Sequence, residues 1–516
     1  MNRIHHFFTY IDESKWNKFI FLTFAILLKI IIFSIVFVLD NPQNLNLFID
    51  FGGDTSEYMG ACEKLYTQGI YIVDTLYGFS DKAFRMPGLT FIYIPLRFFV
   101  SKENTMNGII VFQVLCSGIA TYYLSRLAKN IFGGKKIFYV VFIFANLGFG
   151  LMSYNNILLT ESLACSFLIF SFYLLEKAVR ENKTIDFLYS GLFMTWLIFL
   201  RPYFIVVFIF AIFLLLYFLY VKKTAKKSLM LFVFIFCIVE TIWVARNFIS
   251  IGKFIPLQTS ANFIASKPTC ERAKFKFITT LGLNYEWWTK NTESAWFNNP
   301  KQVLNIPIPS NKIIPTIAFN DGLTIDSLIL ARDYMHKVQN QEVEDKSKLT
   351  YFNYHSERIF NKFISAYKEN QLIDFLLFSR VRLVKSFLSD NYYWPLGKIS
   401  YPKNMIFIVF DFFSNYYIKI VGFLGLIIIT RLFIKDYLKL FLISFVPIFI
   451  LLLFPIYSGC DEKRFFILSI PFLVISLSYV LVKILDLKKF KYLALFFTFI
   501  LPILLAVKST LGLIRF

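Results

Sequence analysis

Long apolar runs separated by short basic turns dominate the chain, and this pattern predicts helices that cross a membrane. A spanning helix needs roughly 17–25 mostly apolar residues. Runs of that kind cover Lys18–Leu39, Met106–Leu127, Ile137–Tyr154, Ile157–Leu175, Leu229–Ile249, Met405–Leu432, Leu438–Tyr457, Phe465–Ile484 and Tyr492–Ile514. Two shorter runs, Phe187–Leu200 and Tyr203–Val221, abut at Arg201-Pro202. They read as two thin spans or as a re-entrant pair, and either returns the chain to the side it left. Met86–Val100, about 15 residues with Pro87, Pro95 and Arg97 inside it, suits an interfacial segment better than a crossing.

Basic clusters order the crossings. Lys129, Lys135 and Lys136 follow the second run, and Lys177, Arg180 and Lys183 the fourth. Lys222, Lys223, Lys226 and Lys227 follow the Arg-Pro pair, then come Arg431, Lys435 and Lys439, and last Lys483, Lys488, Lys489 and Lys491. With the N-terminus in the cytoplasm every cluster falls on the cytoplasmic side, as the positive-inside bias requires. The first run, Phe19–Leu39, is too long for a signal-peptide core and lacks a small-residue cleavage site, so it reads as an uncleaved span. The expected fold is an all-α polytopic helical bundle of about ten to thirteen spans. Its parts are an N-terminal module (1–251) with a first external loop at 40–99, an external domain (252–403), and C-terminal helices (404–516). The external domain shows amphipathic helical patterning near Leu323–Lys337, Tyr351–Tyr367 and Leu372–Leu388.

Composition removes the other classes. Of 516 residues 57% are apolar, 20% aromatic and 17% charged, whereas a soluble domain is about 45–50% apolar and 25% charged. A net charge of +21 would suggest nucleic acid in a soluble chain. Here it sits in the predicted cytoplasmic turns, so membrane lipids and not nucleic acid are the expected partners. No internal repeat is evident.

The candidate chemistry gathers on the external side. Asp54 opens a helix in Gly53-Asp54-Thr55-Ser56-Glu57-Tyr58, with an apolar stripe through Tyr58, Ala61, Cys62 and Leu65. Asp54 with Glu57 three residues on also reads as a capping box, and a carboxylate has acceptor sites enough for both roles. Arg85, in Phe84-Arg85-Met86-Pro87-Gly88, is either a snorkelling interfacial cation or an anion ligand. Glu161, Arg201, Arg246 and Arg464 stand at span ends, where a charge must be paired or solvated. Mutual pairing, Glu161 with one of the arginines, is their structural alternative. An external carboxylate can take a proton from a hydroxyl, and fixed cations at the lipid boundary can hold a phosphate as it leaves.

The ordered series Gly53-Asp54 with Tyr58, Gly69, Arg85-x-Pro87-Gly88, Leu159-Thr160-Glu161, Arg201-Pro202 and Arg246-Asn247 with Gly252 resembles the polytopic GT-C glycosyltransferases. The branch is the one related to protein O-mannosyltransferases and the lipid A aminoarabinose transferase. The likeness covers the N-terminal half; in the C-terminal half it amounts to the helical external domain and Arg464-Phe465. It implies transfer of a sugar from a polyprenyl-phosphate donor to a lipid, glycan or protein acceptor outside a bacterial inner membrane, with inversion. By position it makes Asp54 the base, with Asp50, before the glycines, the alternative that fits the family pattern less well, and Arg85 a phosphate-binding cation; from their place at span ends Arg201, Arg246 and Arg464 are the further expected phosphate ligands, with Tyr58 and Glu161 in support. The Asp-Glu pair of the aminoarabinose branch is absent from the loop. Relatives split on metal use; with only four His (His5, His6, His336, His355) and no ligand-spaced cluster, no obligatory metal is expected.

Two other classes fit less well. A polysaccharide polymerase or ligase would use the arginines but not the Asp54 loop. A transporter favours midplane polar sites and internal repeats. Cys116, Cys165 and Cys237 are expected as small apolar fillers, and Cys62, Cys270 and Cys460 lie externally, where a disulfide is possible. Trp287-Trp288 and Tyr392-Tyr393-Trp394 suit sugar stacking or membrane anchoring.

Overall fold

The computed structural model describes residues 15–37, 47–48, 53–74, 80–147, 154–222, 226–259, 268–282, 323–339, 345–389, 418–459 and 463–486. The chain divides into two compact units, one made of Met1–Thr259, Asn391–Ile448 and Phe466–Phe516, the other of Ser260–Asp390 and Phe449–Phe465.

The first unit holds α1 (Lys15–Phe37), α2 (Gly53–Gln68), a two-stranded hairpin of β1 (Val73–Asp74) and β2 (Ser80–Asp81), α3 (Thr90–Arg97), α4 (Lys102–Phe132) and α5 (Lys135–Leu147). It continues through α6 (Glu161–Glu181), α7 (Thr184–Leu200), α8 (Ile205–Lys222) and α9 (Lys226–Ile251). The fourth predicted run begins four residues late, at Glu161, and ends at Glu181 because Asn182 turns left-handed (φ 52°). Met86–Val100 yields only the eight-residue α3, too short to cross. At the Arg-Pro pair, Arg201 is extended (φ −145°, ψ 93°) and Pro202 starts a 3₁₀ turn, since proline disfavours a helical residue before it.

In this unit α6 packs on α4 and α7, α7 on α9, and α4 on α1 and α5. Small residues permit the closest approaches, as lipid-embedded helices require. A Cβ on Gly191 would strike the Phe232 carbonyl of α9.

The second unit contains α10 (Thr269–Leu281), α11 (Ile325–Gln339), α12 (Lys346–Asn370), a π turn (Asp374–Phe378) and α13 (Ser379–Ser389). The three amphipathic stretches read from sequence thus fall on α11, α12 and the π turn with α13. Their apolar faces form one core, with Phe277, Ile278 and Leu281 against Leu328, Met335, Phe360, Phe363 and Tyr367. Each large side chain so buried stabilises by roughly 1.5–3 kcal/mol.

C-terminally come α14 (Ile418–Leu432), α15 (Tyr437–Ser458, partly π-helical) and α16 (Ile470–Asp486). A Cβ on Gly425 would lie 2.5 Å from the Ser476 carbonyl, so α14 and α16 meet backbone to backbone. Six described helices are long and apolar enough to cross a membrane: Lys102–Phe132, Glu161–Glu181, Pro202–Val221, Lys226–Ile251, Tyr437–Ser458 and Arg464–Asp486. The architecture is an all-α membrane bundle. The predicted run Tyr492–Ile514 and both aromatic clusters, Trp287-Trp288 and Tyr392-Tyr393-Trp394, lie outside the described residues.

Candidate active site

The first turn of α2 carries the acidic residues, and Arg85 from the following loop reaches them. Arg85 Nη2 donates to Asp54 Oδ1 and to Glu57 Oε2, both at 2.6 Å, and its Nε donates to Glu57 Oε2 at 3.0 Å. Nη1 points at the Tyr58 hydroxyl at 3.4 Å, and the guanidinium lies 4.8 Å from both the Tyr58 and Phe84 ring centres. The helix places these partners together because Asp54, Glu57 and Tyr58, spaced three and four apart, share a face. The helix begins at Gly53, one residue before Asp54, and both carboxylates of the capping-box pattern bond Arg85. Burial opposes the charge on Arg85, but Tyr58 and the two carboxylates outweigh it and raise its affinity for the proton.

Two supports fix the geometry. On α2, Glu63 accepts from Arg97 Nε at 3.1 Å, from Arg97 Nη2 at 3.2 Å and from the Tyr93 hydroxyl at 2.5 Å, which ties α2 to α3. Partial burial pushes the Glu63 carboxyl up, yet the Arg97 and Tyr93 bonds prevail and leave it below its usual range. Burial pushes the neighbouring Cys62 thiol up to about 12. On the other side, the Gly88 amide donates to the Phe199 carbonyl at 3.1 Å, and Trp196 Nε1 donates to the Gly88 carbonyl at 2.9 Å. A Cβ on Gly88 would collide with the Phe199 backbone, so the Arg85 loop docks on α7 only with glycine there.

Two residues past Phe199, Arg201 pairs with Glu161 at the start of α6; the two side chains are 8% and 0% exposed. Nearby, the Ser162 hydroxyl donates to Asn155 Oδ1 at 2.6 Å. Arg246 donates to the carbonyls of Lys82 and Tyr71 and to Asn247 Oδ1, and lies against the Trp243 and Tyr71 rings. It braces the backbone on both sides of the hairpin. Tyr71, Ala83, Met86, Phe199 and Trp243 form a single apolar cluster beneath this region.

The structure thus joins Asp54, Tyr58 and Arg85 in one group and Glu161 with Arg201 in another, and sets Arg246 on the hairpin backbone. Arg464 belongs to the second unit, beside the Phe465 ring. Sequence reasoning missed Glu57 as the main ligand of Arg85, and it missed the Glu63–Arg97–Tyr93 lock; the i, i+3 spacing from Asp54 was the available signal for Glu57. Cys62 and Cys270 are free and buried, so no disulfide joins them, and Cys237 is exposed on its helix instead of filling a gap. Among the described residues no three His, Cys, Asp or Glu side chains come together as a metal site.

A family model described as dolichyl-phosphate-mannose-protein mannosyltransferase matches residues 90–243. That segment contains Glu161 and Arg201 but not Asp54, Arg85 or Arg246. The fold matches the crystal structure of the Archaeoglobus fulgidus oligosaccharyltransferase tethered to an acceptor peptide containing the NVT sequon. The two are 12% identical, with a TM-score of 0.50, over 96% of this chain and 55% of that one. This chain therefore spans about half the length of that structure. No curated protein matches the sequence. Fold and matched segment define the class: a membrane protein of the GT-C glycosyltransferase fold.

Proposed function

We propose that the protein transfers a sugar from a polyprenyl-phosphate donor to an acceptor hydroxyl, with inversion, at the external face of a bacterial inner membrane. Asp54 takes the acceptor's proton as the acceptor oxygen bonds to the anomeric carbon. The bond from that carbon to the phosphate oxygen breaks, and its electron pair leaves with the phosphate. Arg85 orients Asp54 and offers the departing phosphate the second Nη1 hydrogen, the first being directed at the Tyr58 hydroxyl. Tyr58 and Glu57 hold the guanidinium in place, and the Glu161–Arg201 pair supports the end of α7 on which the loop rests. Arg246, through the Lys82 and Tyr71 carbonyls, holds the hairpin that precedes the Arg85 loop. The observation that carries it is the partly exposed Arg85 guanidinium, 2.6 Å from the Asp54 carboxylate in the first turn of α2.

The test compares lipid-linked sugars and surface glycans, by mass, in cells with and without the gene. Loss of one sugar from a glycan together with accumulation of its lipid-linked donor is the expected result. Unchanged masses in both pools would overturn the proposal. The reaction as written draws on side chains alone, so transfer is expected to persist in EDTA.

A further inference from the structure

We propose that Leu372–Val381, in the second unit, is a docking face that seats this unit on the headgroup–acyl boundary of the bilayer. The segment has two faces. Phe375, Ser379, Leu383 and Phe387 recur every four residues and point inward; Ser379, Leu383 and Phe387 are fully buried, and Phe375 packs on the core of α10, α11 and α12. Leu372, Ile373, Leu376, Leu377, Phe378 and Val381 point outward, and each is at least 50% exposed, Ile373 at 69%. Over its second half the outer face of α12 is polar instead, with exposed Asn361, Lys362, Ser365 and Glu369. Six large apolar side chains within ten residues exceed what an aqueous surface carries without a partner.

The π turn helps build this face. Asp374–Phe378 is wound more widely than an α-helix, and such turns shift the register of the residues after them. Three consecutive apolar residues, Leu376, Leu377 and Phe378, thereby face outward, which a regular amphipathic helix would not allow.

Depth is set by what α13 touches. Within the second unit it packs on Leu452–Ser458, the last turns of α15, and the Phe387 and Phe454 rings stack at 6.4 Å. Since α15 has a mean hydropathy of 2.6 and the length of a span, its end marks the membrane boundary. Tyr457 there is 84% exposed, as suits an aromatic at the headgroup level. A helix fastened to the last turn of a span lies at that level too.

Charge agrees with this placement. Lys368 and Arg380 bracket the Phe375 ring at 5.0 and 6.0 Å, and Lys385 is exposed on α13. The acid of the segment, Asp374, is bound by Arg382 at 2.7 Å. Basic residues flanking an apolar face are the signature of a helix lying in an anionic interface, and they argue against a buried protein contact.

The test places a nitroxide at Leu376→Cys, and separately at Ile373→Cys, in the full chain in nanodiscs of phosphatidylethanolamine and phosphatidylglycerol, subtracting the signal of the native cysteines. Collision rates with oxygen and with a water-soluble nickel chelate then separate the surroundings. Lipid gives an oxygen-to-nickel ratio several-fold above that of a control at Lys362→Cys. A ratio equal to the control would mean open water and overturn the proposal. Loss of both collision rates would mean that a second copy or another protein covers the face, and would overturn it equally.

Discussion

The Arg85 group and the Glu161–Arg201 pair are built from the same chemistry and differ in access to solvent. Arg85 and Asp54 keep about a fifth of their side chains exposed, at 20% and 22%. Glu161 is wholly buried and Arg201 nearly so. A charge pair closed off from water cannot exchange partners without leaving an uncompensated ion behind. A partly open one can release a carboxylate to an incoming hydroxyl, or a guanidinium to a phosphate. Under the proposed function the first group reacts and the second holds the bundle, although sequence alone makes both look like interfacial ions.

The sharpest way to break this contrast is to neutralise one carboxylate in each group. Asp54→Asn keeps shape and removes the base. Transfer is expected to fall by about 10²–10⁴-fold, the usual worth of general base catalysis, with the melting temperature close to that of the parent. Normal transfer by Asp54→Asn would move the base elsewhere. Glu161→Gln strands Arg201 in the bundle, and the expected effect is on stability, a loss of about 3–5 kcal/mol. Glu161→Met with Arg201→Met should recover most of that loss in thermal unfolding, because it removes both charges together. If the double variant melts as low as the single one, the pair is more than a scaffold.

Much of this was legible in the chain because lipid simplifies the code. Long apolar runs, basic turns and the Arg201-Pro202 break follow from hydrogen-bond satisfaction and charge placement along one dimension, and they return as α4, α6, α8 and α9. The stripe Tyr58, Ala61, Cys62 and Leu65 is likewise local, and it faces inward. Partner choice was not legible. Asp54 and Glu57 have the spacing of a capping box, and only the return of the chain at Arg85, thirty-one positions from Asp54, redirects them. Arg246 illustrates the same limit: its carbonyl partners at Tyr71 and Lys82 are 175 and 164 positions away. The periodicity of Leu372–Val381 is that of an ordinary amphipathic stretch, and periodicity does not say which side meets water.

A smaller effect tests how tightly the loop that carries Arg85 is held. Gly88→Ala places a methyl group against the Phe199 backbone, which has no flexible end to yield. Overpacking of this kind costs about 1–3 kcal/mol. Because the strain falls between the loop and α7, transfer is expected to drop more than melting does. Equal losses, normalised to folded protein, would show that the loop does not position the reacting groups.

The smallest effect concerns the lock between α2 and α3, and its sign follows from linkage. In the folded chain Glu63 titrates below its ordinary value of 4.5, because Arg97 and Tyr93 favour its ionised form over the cost of burial. A carboxyl whose folded pKa is depressed contributes stability that is fully present above its unfolded pKa, and that is lost as pH falls through the folded value. Melting temperatures of the parent and of Glu63→Gln, taken from pH 7 down to pH 3, should therefore lie a constant interval apart above about pH 5 and converge below it. The convergence would locate the lock in the ionised carboxylate. Parallel curves down to pH 3 would instead assign the contribution of Glu63 to packing and to bonds that glutamine can also make. The tie between α2 and α3 would then rest on packing and on bonds from Tyr93 and Arg97 that need no charge on Glu63.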